Sequence, residues 1–194
     1  KGKNTTDLRK MQIPLGPVAI FGAANFPLAY STAGGDTACA LAAGCTVIVK
    51  AHPAHAQSSQ LIADIIAATL IELKMPKNIF QHLHGVSKEI GKALVSHPLI
   101  KAVGFTGSFK GGKQIFDWGQ QRPEPIPVFA EMSSVNPVFI LQEKLITEAE
   151  EYAKLLAASI NSSTGQFCTC PGIIVGINND SFNNFIVALS TNFS

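Results

Sequence analysis

Charge is scarce in this chain. Only 14% of its 194 residues are Asp, Glu, Lys or Arg, and the formal net charge is +2. So weak a balance excludes nucleic acid as the expected partner, because phosphate backbones are met by dense basic patches. Cysteine is sparse too, at four residues: Cys39, Cys45, Cys168 and Cys170. A chain that is 46% hydrophobic can bury a core of its own and needs no disulfide scaffold. Long apolar runs are missing: none reaches the ~18 residues of a membrane span without glycine or charge. Lys1, Lys3, Arg9 and Lys10 are not followed by an apolar stretch of signal-peptide length. Internal repeats and low-complexity segments are absent. Cys168-Thr169-Cys170 has one intervening residue and no second pair. His52-Pro53-Ala54-His55 and His82-Leu83-His84 lack a matching set, so no metal site is expected.

What is present is an alternation of strand-length apolar runs with helix-length amphipathic stretches. Residues 17–22, 46–50, 78–84, 101–106, 127–131, 137–141 and 172–177 read as strands, with Thr46-Val47-Ile48-Val49 rich in β-branched side chains. Residues 35–43, 58–73, 87–96 and 146–160 read as helices, as does the stretch from Gly107-Ser108 through Phe116 and Trp118. Within 58–73, Leu61, Ile65 and Ala68 recur at helical spacing, and so do Ile62, Ile66 and Leu70. Pro76 helps to stop that helix, and Ser87 stands at an N-cap position for the next. Cys39 and Cys45 lie in apolar sequence and read as core residues. The pattern is α/β. Residues 1–133 form a Rossmann-like open parallel sheet with helices on both faces, and residues 134–194 are the start of an α/β catalytic domain. Both ends read as cuts through a longer chain.

Open parallel sheets bind ligands at the carboxyl ends of their strands. Lys50 ends the 46–50 strand, where an ammonium can meet ribose hydroxyls or a phosphate. Position alone favours a merely solvated lysine. Gly104-Phe105-Thr106-Gly107-Ser108 joins a strand to a helix. Its glycines let the backbone approach a ligand, and the helix start offers N–H groups to a pyrophosphate. It is not Gly-x-Gly-x-x-Gly, and an ordinary cap is the simpler explanation. Glu131 ends the 127–131 strand among apolar neighbours. Burial would raise its pKa toward that of a general base, and an exposed glutamate is an equal alternative. Cys168 follows Ser162-Ser163-Thr164-Gly165-Gln166-Phe167, small and polar flanks that suit a thiol on a tight turn. Alone, a cysteine in a loop is more often inert.

In combination these segments say more. Asn25-Phe26-Pro27, Val49-Lys50, Gly104-Phe105-Thr106-Gly107-Ser108, Glu131 and Gly165-Gln166-Phe167-Cys168, in that order, resemble the aldehyde dehydrogenase superfamily from about Pro14 to Ile177. Finer features resemble its α-ketoglutaric semialdehyde (2,5-dioxopentanoate) branch, which serves bacterial breakdown of pentoses and sugar acids. These are Phe21-Gly22-Ala23-Ala24-Asn25-Phe26-Pro27, Ala33-Gly34-Gly35-Asp36-Thr37, Lys50-Ala51-His52-Pro53-Ala54-His55, and Arg122-Pro123-Glu124-Pro125-Ile126-Pro127-Val128 with Ala130-Glu131-Met132-Ser133-Ser134.

The resemblance implies a cytoplasmic, homo-oligomeric enzyme acting on a small-molecule aldehyde. Cys168 would be the nucleophile, Asn25 an oxyanion donor and Glu131 the base that activates water. Lys50, Phe105, Thr106, Gly107 and Ser108 would lie at the cofactor. Many relatives carry a carboxylate three residues after the lysine, where it binds the ribose of NAD. Pro53 stands there in this chain, so NADP is expected to be accepted and favoured over NAD. Where many relatives have Leu-Gly-Gly after the glutamate, this chain has Met132-Ser133-Ser134. Two alternatives stay open: a nucleotide-binding chain without chemistry, and acyl transfer to coenzyme A. Glu131 speaks against the latter.

Overall fold

The structure, a computed structural model, describes residues 7–193. Lys1 and Lys3 of the basic amino-terminal run lie outside the described residues, as does Ser194. The chain divides into two compact units, the first ending at Met132 and the second beginning at Ser133.

In the first unit, β1 (Val18–Phe21), β2 (Val47–Lys50), β3 (Phe80–Leu83), β4 (Ala102–Gly107) and β5 (Val128–Met132) form one parallel sheet, in the order β3-β2-β1-β4-β5. The connections contain α1 (Gly35–Ala42), α2 (Ala56–Glu72), α3 (Lys88–Ser96) and α4 (Phe109–Gln120). The two-residue period of a strand sorts the apolar side chains. Val18, Ile20, Val47 and Val49 bury on one face, where Ala40, Leu41, Ile66 and Leu70 of α1 and α2 meet them. Ala19, Phe21 and Val103 bury on the other, against Leu94, Val95, Ile115 and Trp118 of α3 and α4. Helices thus cover both faces, as the alternation predicts. Buried Arg122 binds the chain around the end of α3. Its Nη1 donates to the Val95 and Ile100 carbonyls at 3.0 and 2.9 Å, and its Nη2 to Pro98 at 3.4 Å.

Three expectations for this unit change. Cys45 is buried, but Cys39 is exposed, because α1 buries its Thr37 side and turns Cys39 outward. Of the two apolar stripes in α2, Ile62, Ile66 and Leu70 are partly covered beside buried Ser59 and Ala63, whereas Leu61 and Ile65 face outward. Both stripes have helical spacing, and one narrow line of contact with the sheet can bury only one of them. Ser87 does take the N-cap position of α3, but its side chain makes no capping hydrogen bond.

The second unit is smaller. Parallel strands β6 (Pro137–Ile140) and β7 (Ile173–Gly176) carry α5 (Gln142–Asn161) and α6 (Asp180–Thr191). One cluster holds it together: Ile140, Leu145, Ala153, Leu156, Ala157, Phe185 and Leu189. The α5 helix begins before the predicted residue 146 and kinks at Glu148, where φ is −138°. The α6 helix was not expected. Its signals are Asn179, whose Oδ1 accepts from the Phe182 N–H at 2.9 Å, and the apolar series Phe182, Phe185, Leu189. Gly176 permits this packing, since a Cβ there would lie 2.3 Å from the Phe182 ring.

Among the described residues no helix is long and apolar enough to cross a membrane. None of their His, Cys, Asp and Glu side chains form a group of three or more that could hold a metal ion.

Candidate active site

In the first unit a cleft of about 510 Å³ opens where β1 and β2 end and α3 and α4 begin. Lys50, His52, Pro53, Ser108, Gly111 and Trp118 help line it. The structure therefore brings together two of the predicted cofactor residues, Lys50 and Ser108, from elements far apart in the chain. Lys50 is half-buried, and burial pulls its ammonium below the usual lysine range. His52 sits below the usual imidazole range, first through burial and then through repulsion from His55 and Lys50. The His52 Nδ1 accepts from the Ala54 N–H at 3.1 Å, and its ring stacks on His55 at 5.5 Å. His55 Nε2 lies 2.9 Å from the Ala23 carbonyl and donates to it. Lys88 and Lys110 also line the cleft, and no described carboxylate does.

Ser108 is the N-cap of α4, and its hydroxyl oxygen accepts from the Gly111 N–H at 3.2 Å. The same hydroxyl keeps its proton to donate. β4 runs on through Gly107, so the turn begins only at Ser108. Phe105 is half-buried, and its ring fills the space that side chains at Gly107, Gly111 and Gly112 would occupy. A Cβ at Gly107 would stand 2.7 Å from its Cζ. Phe105 thus supports the α4 start from below. Thr106 points to the opposite face of the sheet, where it hydrogen-bonds the Asp36 carboxyl. Burial raises Asp36 above the usual carboxylate range, against the lowering effect of that bond.

Glu131 pairs with Thr106 in the β4–β5 register and is exposed within the first unit. The burial expected of a general base is not found there. Asn25 lies in the turn after β1 and is likewise exposed.

Cys168 belongs to the second unit, where it is half-buried. Upstream, Ser163, Thr164 and Gly165 have φ values of 50°, 56° and 71°, three successive residues in the left-handed region. Only glycine takes this region freely, and a β-branched Thr there stores strain. The loop that follows is fastened by residues that the sequence reading overlooked. Asn136 Nδ2 donates to the Cys168 carbonyl at 2.6 Å and to the Cys170 carbonyl at 3.1 Å. The Ser134 hydroxyl donates to the same Cys168 carbonyl. The Cys170 N–H donates to Phe167 O at 3.1 Å, and the Cys170 thiol faces Ser162 O at 3.5 Å. The Gly172 N–H donates to Val135 O at 2.8 Å. The Met132-Ser133-Ser134 departure thus supplies a hydroxyl that binds the cysteine loop. A trace was visible: Asn136 precedes a proline, and Asn is the non-glycine residue best suited to its φ of 46°.

The family model described as the aldehyde dehydrogenase family matches residues 2–193. The α-ketoglutaric semialdehyde dehydrogenase of Acinetobacter baylyi is 51% identical over 183 residues, covering 94% of this chain and 34% of that protein. The α-ketoglutaric semialdehyde dehydrogenase 2 of Azospirillum brasilense is 49% identical over 180 residues, covering 93% and 34%. Among solved structures, the aldehyde dehydrogenase KauB from Pseudomonas aeruginosa aligns with a TM-score of 0.73 at 26% identity, over 93% of this chain and 34% of that one. The chain spans about a third of the length of the curated relatives it matches.

Proposed function

The chain belongs to the aldehyde dehydrogenase family, and from that premise we propose that it carries the cofactor-binding and nucleophile-bearing part of an NAD(P)-dependent dehydrogenase. Its proposed substrate is α-ketoglutaric semialdehyde, oxidised to the dicarboxylic acid. The observation that carries this is the 51% identity to the Acinetobacter baylyi α-ketoglutaric semialdehyde dehydrogenase.

The residues have chemistry for each step. Cys168 Sγ, as thiolate, adds to the aldehyde carbon and forms a thiohemiacetal. A thiol serves because it both adds to an aldehyde and leaves from a thioester. The Asn25 side-chain amide and the Cys168 N–H donate to the oxyanion, a role in which one donor is commonly worth about 3 kcal/mol. A nicotinamide cofactor held at Lys50 and Ser108 would supply the hydride acceptor that lets the thiohemiacetal on Cys168 become a thioester. Glu131 takes a proton from water, which attacks the thioester carbon. The acid departs and the thiolate returns. Asn25 and Glu131 take these roles by their place in the motif order.

For the cofactor, the cleft at Lys50 and Ser108 suits a ligand bearing phosphates. Three lysines line it, and Pro53, with His52 beside it, takes the position where many relatives carry a carboxylate that would repel a 2′-phosphate. NADP is therefore proposed as accepted and favoured. A panel of semialdehydes assayed on the whole protein with both cofactors tests the reading. The α-ketoglutaric semialdehyde with NADP should give the highest kcat/KM. A Kd for NAD far below that for NADP would overturn the cofactor assignment.

A second reading is a nucleotide-binding chain without chemistry, favoured by the exposure of Glu131 within the first unit. Alkylation of Cys168 with and without NADP separates the two, because an active thiol should change its rate when the cofactor binds.

A further inference from the structure

We infer that Asn136 is a positioning residue for the Cys168 nucleophile, acting through the two peptide groups that flank it. The inference rests on Cys168 as the attacking thiol.

Aim of the Cys168 side chain is set by the backbone on either side of its Cα. The preceding peptide carries the Phe167 carbonyl, and the Cys170 N–H holds it at 3.1 Å. The same planar peptide carries the Cys168 N–H, so fixing its carbonyl also fixes the direction of that donor. The following peptide carries the Cys168 carbonyl, which Asn136 Nδ2 holds at 2.6 Å with help from the Ser134 hydroxyl. Asn136 also holds the Cys170 carbonyl at 3.1 Å, and thereby the residue whose N–H secures Phe167. One amide thus holds the peptide after Cys168 directly and bears on the peptide before it through Cys170. The upstream turn gives this clamp something to resist. Ser163 and Thr164 sit in left-handed backbone that relaxes if the loop is released. Asn136 is itself placed by its φ of 46° and by the following Pro137, the first residue of β6, which pairs with Ile173 of β7. The clamp is therefore anchored in the small sheet rather than in the loop it holds.

Two substitutions separate the amide from the backbone it stands on. Asn136→Gly keeps the left-handed conformation and deletes the side chain. Asn136→Asp keeps the shape and replaces the donor with a carboxylate facing two carbonyls. In the whole protein, the rate of Cys168 alkylation by iodoacetamide is followed on the Cys168 peptide by mass spectrometry across pH. Steady-state kinetics with aldehyde and NADP run alongside. Both variants should lower kcat by roughly ten- to a hundredfold with KM for NADP unchanged, since misplacement of a reacting group by about 1 Å has effects of that size. Alkylation should slow in parallel. Wild-type alkylation rates and kcat in the two folded variants would overturn the inference. Should the Asp variant not fold, the Gly variant decides. Loss of fold in both would also overturn it, leaving Asn136 a stability residue. Failure of the nucleophile reading is distinguishable: a Cys168→Ala protein that still oxidises aldehyde would remove that reading, while the alkylation rates report on the clamp alone.

Discussion

The two units solve different problems with different amounts of material. In the first, β1 is central, with neighbours on both sides and helices above and below. Its core is therefore two clusters, one per face. In the second, two strands and two helices share a single cluster around Phe185. Strain is divided the other way. Among the described residues, Lys74 is the lone non-glycine in left-handed backbone before Ser133, whereas Ser133, Asn136, Ser163 and Thr164 all follow. The unit with the wider sheet offers a nearly relaxed surface to a ligand. The unit with the thinner core holds a strained loop bearing Cys168, the proposed nucleophile. Binding demands a preformed shape, whereas a nucleophile demands one fixed direction, and the second can be secured by a few hydrogen bonds.

Substitutions can break this contrast or sharpen it. The largest effect is expected from Cys168→Ala. Aldehyde oxidation should fall on the order of 10³-fold or more, while NADP binding by the first unit, read by fluorescence titration, stays the same. Retained oxidation would remove Cys168 from the chemistry. Next comes Phe185→Ala, which empties the centre of the single cluster and should cost about 3–5 kcal/mol. Urea unfolding of the whole protein would show the loss, and hydrogen exchange should locate it in β6, β7, α5 and α6. Equal loss of protection in β1 would show that the units do not unfold separately. Smaller still is Thr164→Gly, which relieves left-handed strain and should stabilise by about 1 kcal/mol in the same titration. A loss of stability would mean that the loop carries no strain there.

The smallest effect concerns pH. His52 is held below its usual pKa by burial, His55 and Lys50, so the folded chain resists protonating it. This contribution to stability is complete above about pH 6.5, the unfolded value, and fades as pH falls through it. A 2′-phosphate beside His52 would favour the charged ring. NADP affinity should therefore gain on NAD affinity as pH drops toward the depressed pKa of His52, by roughly twofold for one partly exposed charge. His52→Ala should flatten the NADP curve, and an unchanged slope would detach His52 from the phosphate.

Much of this was legible beforehand, and the gaps have physical causes. β2 showed itself because Val47-Ile48-Val49 is apolar on both faces, as a central parallel strand must be. Lys50 and Ser108 were singled out because the ends of such strands are where ligands sit, and both line one cleft. Cys39 was misjudged since a short apolar helix has two sides, and composition does not say which one meets the sheet. Glu131 was left open for the same reason, since a strand end says nothing about cover. Asn136 escaped notice altogether. Its value lies in carbonyls 32 and 34 residues further along, and a backbone acceptor leaves no mark in a sequence.

One arrangement in the first unit bears on how the chain comes to be made. β1 lies at the middle of the sheet, yet of the sheet's five strands it is the first to leave the ribosome. Its neighbour β2 follows soon, but its other neighbour is β4, with Val18 opposite Ala102. Until that later segment emerges, one edge of Val18–Phe21 has open backbone groups beside apolar side chains. Such an edge invites pairing with foreign strands. Slow translation between β2 and β4 should therefore increase aggregation of the nascent chain, and a chaperone that covers Val18–Phe21 during that interval should raise the yield.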